Sequence, residues 1–260
     1  MLRFAPTSKR PWGVRKSVSD LMTIPVPPAT ATYSPVPQQV LFDGWSDRLV
    51  KQGYTISDEE HWVSADEQRF ISKVTVVNRT LLSDDATFSW QFALINSYDR
   101  QVAINTLCGA KVFVCTNGCM DAEWTSKTKH TSGVWNRLDQ FLNESVANIH
   151  LRANAIKATF DVYRNTGAES RSQVDHVVCE AYRNNVIASS GIGQVLDHWE
   201  RPEHAEFKPR NLWSLYNAFT SYNRGRSEFE ESSRINKLNR ILRKEFNLDI
   251  LTPQEVADNM

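Results

Sequence analysis

The hydrophobic period of this chain changes once, near residue 117, and that change restricts its fold more than any other feature. From Phe70 to Asn78, β-branched residues dominate (Ile71, Val74, Thr75, Val76 and Val77), which is the composition of a strand. Trp90 to Asn96 alternates, with Trp90, Phe92 and Leu94 on one side and Gln91 and Ala93 on the other. Ser97-Tyr98-Asp99-Arg100 reads as a turn, and Gln101 to Leu107 then places Val102, Ile104 and Thr106 on one face. After Gly109, the segment Lys111 to Cys115 gives Val112 and Val114. Short links favour hairpins, so the pattern predicts an antiparallel meander of three to four strands. Beyond Thr116-Asn117-Gly118 the spacing lengthens to three and four. Trp135, Leu138, Phe141, Leu142, Val146, Ile149, Ile156, Phe160 and Tyr163 predict one amphipathic helix of about 30 residues, ~45 Å long. Ser132-Gly133 can cap its start, and Asn165-Thr166-Gly167 its end. Strands followed by helix place the chain in the α+β class, a meander packed against a long helix.

A smaller helical part follows. Residues 172–189, 211–222 and 232–246 carry apolar stripes, clearest in the last, where Ile235, Leu238, Ile241, Leu242 and Phe246 oppose Lys237, Arg240, Arg243 and Lys244. The beginning of the chain differs. Seven prolines (Pro6, Pro11, Pro25, Pro27, Pro28, Pro35 and Pro37) lie in residues 1–40. Proline fixes φ and donates no hydrogen bond, so this stretch is expected to be an extended arm. Its first sixteen residues hold Arg3, Lys9, Arg10, Arg15 and Lys16 without an acid, which suits a solvated tail or contact with a phosphate backbone or a neighbouring subunit. The expected organisation is an arm over 1–40, an α+β core over 41–225, and a C-terminal amphipathic helix and tail over 226–260.

Thirty basic and thirty acidic residues cancel, so net charge argues for no anionic partner, and any nucleic-acid site must come from local clustering. No apolar run approaches the ~20 residues of a membrane helix, and no signal peptide is recognisable. With four sparse cysteines, reduced thiols in a cytoplasmic protein are expected.

Catalytic and cofactor motifs are not legible. Cys115 and Cys119 lack a second paired knuckle to make a zinc site with Cys108 and His130. Asp197 with Glu206-Phe207-Lys208 imitates a magnesium nuclease pattern, but that chemistry needs carboxylates on adjacent strands, and Pro202 and Pro209 flank the segment. Gly191-Ile192-Gly193 lacks the third glycine and the preceding strand of a phosphate loop. A non-enzyme without metal or cofactor is expected.

The stretch Leu94-Ile95-Asn96-Ser97-Tyr98-Asp99, followed by Val112-Phe113-Val114-Cys115-Thr116-Asn117-Gly118, resembles family 932 of the domains of unknown function. His130-Thr131 and Leu212-Trp213-Ser214-Leu215-Tyr216-Asn217-Ala218-Phe219-Thr220 resemble its second half. The likeness spans roughly residues 40–225. Arg100, in place of a small residue, and Cys119, in place of a larger apolar one, depart from the family's pattern. The resemblance implies a phage or mobile-element context and no agreed activity. Physically, Asn96 and Asp99 suit hairpin backbone contacts, Asn117-Gly118 suits positive φ, and Trp213 and Phe219 suit a core.

The order of three strands and a long helix is also similar to the Rad52-like single-strand annealing proteins, which implies an oligomer that holds single-stranded DNA in a basic groove. Here the groove would be lined by Lys111, Lys127, Lys129, His130, Arg137, Arg152, Lys157 and Arg164, with Trp124 stacking on bases. The expected function is therefore a single-stranded DNA-binding or annealing protein, a homo-oligomer acting in recombination or replication. The alternative is a protein-binding inhibitor of a host enzyme or defence system, using the proline arm or the Arg240–Lys244 helix.

Overall fold

Among the described residues, six strands pair in chain order into one antiparallel sheet. They are β1 (Gly13–Lys16), β2 (Thr55–Ser64), β3 (Arg69–Val77), β4 (Phe88–Ser97), β5 (Ile104–Val112) and β6 (Gly118–Thr128). The helices are α1 (Val18–Leu21) and α2 (Gln38–Lys51) before β2, then α3 (Val134–Ala147), α4 (Ile149–Asn165), α5 (Arg171–Arg183), α6 (Ile192–Glu200), α7 (Leu212–Asn223) and α8 (Glu228–Glu245) after the sheet. This computed structural model describes residues 13–78, 80–82, 85, 87–112, 118–147, 149–223 and 228–250, without the side chains of 118–125 and 228–232.

The α+β class agrees with the sequence, but the sheet is larger than expected. β5 runs straight through Gly109, so Lys111 belongs to the second strand of the expected meander and β6 forms the third. The expected long helix corresponds to α3 and α4, residues 134–147 and 149–165, with residue 148 between them outside the described residues. β1, β2, α2 and α6 carry signals too weak for a period to find.

Alternation sends Phe70, Val74, Phe88, Phe92, Leu94, Ile104 and Cys108 to one face of the sheet, where they join the apolar sides of the helices in the main core. α2 lies against β2, α4 against β5, and α3 and α8 against β6. Every described residue of α7 is buried except half-buried Ser221, with Trp213 and Phe219 in the core as their residue types imply.

The opposite face carries a smaller cluster of Trp62, Ile71, Ala93, Ile95 and Leu107. Lys111 projects from this face and meets Asp58 of β2 at 3.9 Å. Two intervening strands would hold β2 and β5 about 14 Å apart in a flat sheet. The ion pair therefore requires the sheet to curl, concave on the side of the small cluster.

The proline-rich segment is extended only in part. Among its described residues, β1 pairs with β2, α1 carries a capping box at Ser17, and Leu21, Ile24, Tyr33 and Val36 are buried in the body. Asn96 Nδ2 donates to the Val36 carbonyl at 2.9 Å, and the Gln38 N–H donates to the Tyr98 hydroxyl at 3.1 Å. These bonds lace residues 33–38 across the end of β4, so that part of the expected arm is a structural strap. Arg3, Lys9 and Arg10 lie outside the described residues.

Candidate nucleic-acid interface

The eight residues expected to line one groove separate into three environments. On α4 they are engaged internally. Arg164 donates to Asp85 at 3.1 Å, Asp161 at 2.9 Å and Thr87 at 2.6 Å, and its guanidinium lies 5.0 Å from the centre of the Trp213 ring. It is a pin joining the start of β4 to α4 and α7. Burial pushes the Asp85 carboxyl up, but the Thr87 bonds and the Arg164 charge outweigh it and hold Asp85 below the usual carboxylate value. Lys157 is held by Asp161 at 2.6 Å, one turn along the helix. Arg152 is half-buried and donates to Ser126 Oγ at 3.0 Å.

Two more leave the expected groove by orientation. Lys111 lies on the concave face with Asp58. His130 is buried against Tyr33, their ring centres 5.8 Å apart, and burial holds its pKa below the ordinary histidine value. A neutral, enclosed imidazole is no phosphate contact. Of the cations expected in the groove between sheet and α4, Lys157 and Arg164 are thus taken up by carboxylates, Lys111 faces the other side, and half-buried Arg152 is held by Ser126.

The remaining three, Lys127, Lys129 and Arg137, gather at one end of the sheet. Lys127 sits on β6 opposite Asn105, at the end where β4 turns into β5. Lys129 follows β6 directly, and Arg137 folds back from the first turns of α3 to donate to Thr131 Oγ1 at 2.6 Å and the Lys129 carbonyl at 3.5 Å. The Ser34 N–H donates to the His130 carbonyl at 3.1 Å, which ties the strap to this loop. All three cations are exposed.

Sequence reasoning missed two neighbours. Arg100 stands at the tip of the β4–β5 hairpin with φ +64°, a left-handed conformation that costs a side-chain-bearing residue about 1 kcal/mol. Its guanidinium lies 4.3 Å from the centre of the Tyr33 ring, which attaches it to the same strap. Trp135, assigned by its spacing to a core stripe, is 47% exposed, and its indole N–H donates to Ser34 Oγ at 3.1 Å. A helix start places its first residues on the rim, so period alone could not tell this tryptophan from a core one. The Trp124 side chain lies outside the described residues.

Around Tyr33 and Ser34, then, stand Arg100 and an exposed indole, with Lys129 and Arg137 on the adjoining loop and α3 and with Lys127 at the same end of the sheet on its concave face. No carboxylate is paired with any of the four cations among the described residues, whereas the nearby acids are engaged elsewhere, Asp99 with Arg69 at 2.6 Å and Asp139 with Arg48. The first turn of α3 carries no acid, so its positive dipole end adds to the patch.

The nuclease pattern does not come together here, and Cys115 and the Cys119 side chain of the zinc pattern lie outside the described residues. Asp197 lies on α6 and holds Arg201 at 2.7 Å, while Glu206 lies on the short 3-10 turn Ala205–Phe207, so they do not occupy adjacent strands. Among the described residues, no three histidine, cysteine or carboxylate side chains stand close enough to share a metal ion. No described helix is long and apolar enough to cross a membrane.

No curated protein and no solved structure matches the chain significantly, so the likeness to Rad52-like annealing proteins finds no structural support. The two sequence motifs fare differently. The first runs from the end of β4 to Val112 at the end of β5 and on to Gly118, with residues 113–117 outside the described residues, the second begins at His130-Thr131 after β6 and ends on α7, and both lie within the 214 residues that the family model covers. The chain belongs to the family described as Domain of unknown function (DUF932), which matches residues 29–242.

Proposed function

We propose that this protein binds single-stranded nucleic acid without catalysis, at the end of the sheet formed by Arg100, Lys127, Lys129, Arg137 and Trp135. The observation that carries this reading is local. In a chain whose charges cancel, four exposed cations without carboxylate partners among the described residues lie at the same end of the sheet as an exposed indole. Cations neutralise phosphates, and an aromatic face stacks on a base of any identity. The left-handed backbone of Arg100 at the hairpin tip places its guanidinium over Tyr33, at the edge of this surface. A role in the recombination or replication of a mobile element, as a homo-oligomer, is part of the proposal.

The test is anisotropy of a fluorescent oligonucleotide at two or more salt concentrations, run beside a mass determination. Four phosphate contacts on a single strand give a slope of about −3 in log affinity against log salt. Charge reversal at Lys129 and Arg137 should abolish most of the binding, and Lys157→Glu should not change it. Weak, salt-independent binding would reject the nucleic-acid reading. It would leave inhibition of a host protein, with the exposed Lys237, Arg240 and Lys244 of α8 as its surface.

A further inference from the structure

The segment that joins α6 to α7 lies against α7 and closes a small cleft there. Pro202, Glu203, His204 and Phe207 of the segment line it, with His198 from the last turn of α6 and Asn217, Ala218 and Ser221 from α7. None of these elements contributes to the interface proposed above. Phe207, on the short 3-10 turn, is buried, and the His204 ring meets it edge-on with ring centres 5.9 Å apart. The cleft has a volume of about 10 Å³, room for one group the size of a water molecule.

Its floor holds an unanswered acceptor. Asn217 belongs to the second family motif and is 0% exposed. Its Nδ2 donates to the Trp213 carbonyl, one turn back on α7, at 2.8 Å. That bond fixes which way round the amide stands, and the Oδ1 accepts no hydrogen bond. A buried amide oxygen left without a donor keeps its full desolvation cost. At the mouth, the exposed Glu203 places its carboxylate 4.0 Å from Nε2 of half-buried His204.

The two imidazoles and the carboxylate do not stand close enough to share a metal ion, so a ligand would be held here by hydrogen bonds and charge. Water could answer Asn217 Oδ1, but it would gain nothing from the carboxylate or from the apolar walls of Pro202, Phe207 and Ala218. An ammonium group is as small as water, donates from three N–H bonds and carries the charge that Glu203 attracts. A methylene stem behind it suits the apolar walls. A guanidinium is too large for the same space. We propose that the cleft between α6 and α7 binds a primary alkylammonium group, either as a free amine or as a lysine side chain.

The experiment follows the ring resonances of His198 and His204 by NMR as butylammonium chloride is added to the full chain. Tetramethylammonium chloride at matched ionic strength is the reference, since it has the same charge and no N–H to donate. Saturable shifts with butylammonium alone are expected. Binding should weaken roughly tenfold or more in Asn217→Leu and about threefold or more in Glu203→Gln, which alters only the exposed mouth. Shifts that do not saturate, or that tetramethylammonium reproduces, would overturn the proposal, as would titrations unchanged in both variants. If Asn217→Leu does not fold, Glu203→Gln decides by the same criterion. A second arm replaces the amine with Nα-acetyl-lysine methylamide. Binding at least as tight as that of butylammonium identifies a lysine side chain as the source, and weaker binding identifies a free amine.

Discussion

Arg164 on α4 and Arg137 on α3 lie on consecutive helices, both packed into the main core and both with a charged outer side, yet only one is available to a ligand. Arg164 meets two carboxylates, a hydroxyl and an indole face. Arg137 meets a hydroxyl and a carbonyl, which hold it in place and leave its charge unspent. The difference lies in what the rest of the fold brings alongside. α4 runs over the middle of the molecule, where Asp85 and Asp161 compensate a half-buried cation. α3 begins at the rim, where the nearest acids already serve Arg48 and Arg69. A basic residue on an amphipathic helix is therefore a poor guide to a binding surface until its carboxylate neighbours are known.

The largest effect that would sharpen this contrast is on stability. Arg164→Ala leaves Asp85 half-buried without its cation and should cost about 3 kcal/mol, read as a shifted denaturation midpoint. Oligonucleotide affinity corrected for the folded fraction should not change. Next comes Lys129→Glu with Arg137→Glu, which should lower oligonucleotide affinity by roughly 30-fold at low salt and leave the midpoint within about 0.5 kcal/mol. If the two variants exchanged these phenotypes, the division between internal and available cations would be wrong.

Trp135→Ala should cost about 1–2 kcal/mol of oligonucleotide binding with little dependence on salt, because stacking releases no counterions. Acid should weaken the fold on the order of 1 kcal/mol between pH 7.5 and 5.5. Burial lowers the folded pKa of both His61 and His130, so both are neutral in the native protein. The unfolded chain takes up the protons first, and stability present above the unfolded histidine value near 6.5 is lost as pH falls. A His130→Gln variant should show a shallower dependence in denaturant titrations at the two pH values. The smallest effect belongs to Arg100→Gly. Relief of the left-handed backbone offsets the lost contact with Tyr33, so stability should stay within about 0.5 kcal/mol while oligonucleotide affinity falls two- to threefold.

Residues whose pattern is strictly periodic were legible. β3 and β4 follow from Ile71 to Val77 and from the Trp90–Phe92–Leu94 alternation, and α7 and α8 from their apolar stripes. β2 escaped notice because Asp58, Glu59 and Glu60 break its alternation, and the structure tolerates them near its exposed end, where Asp58 meets Lys111. α2 escaped because Pro37 ends the proline-rich stretch and Gly44 interrupts the pattern, although Leu41, Phe42, Trp45 and Leu49 carry a buried stripe. Gly109 reads as a stop but lies within β5, opposite Gln91, where the ladder continues on both sides. Of the candidate interface, Lys127, Lys129 and Arg137 were named by sequence. Arg100 and Trp135 were not, because one is defined by a turn conformation and the other by its place at a helix start.

The sequence by itself determined the α+β class, the family, and which short stretches alternate as strands, because local periodicity records which side of an element faces the core. Only the tertiary structure decided which cations are free. Pairing depends on carboxylates brought near by the fold, such as Asp85, 79 residues from Arg164 in the chain, and spacing along the backbone carries no record of that distance.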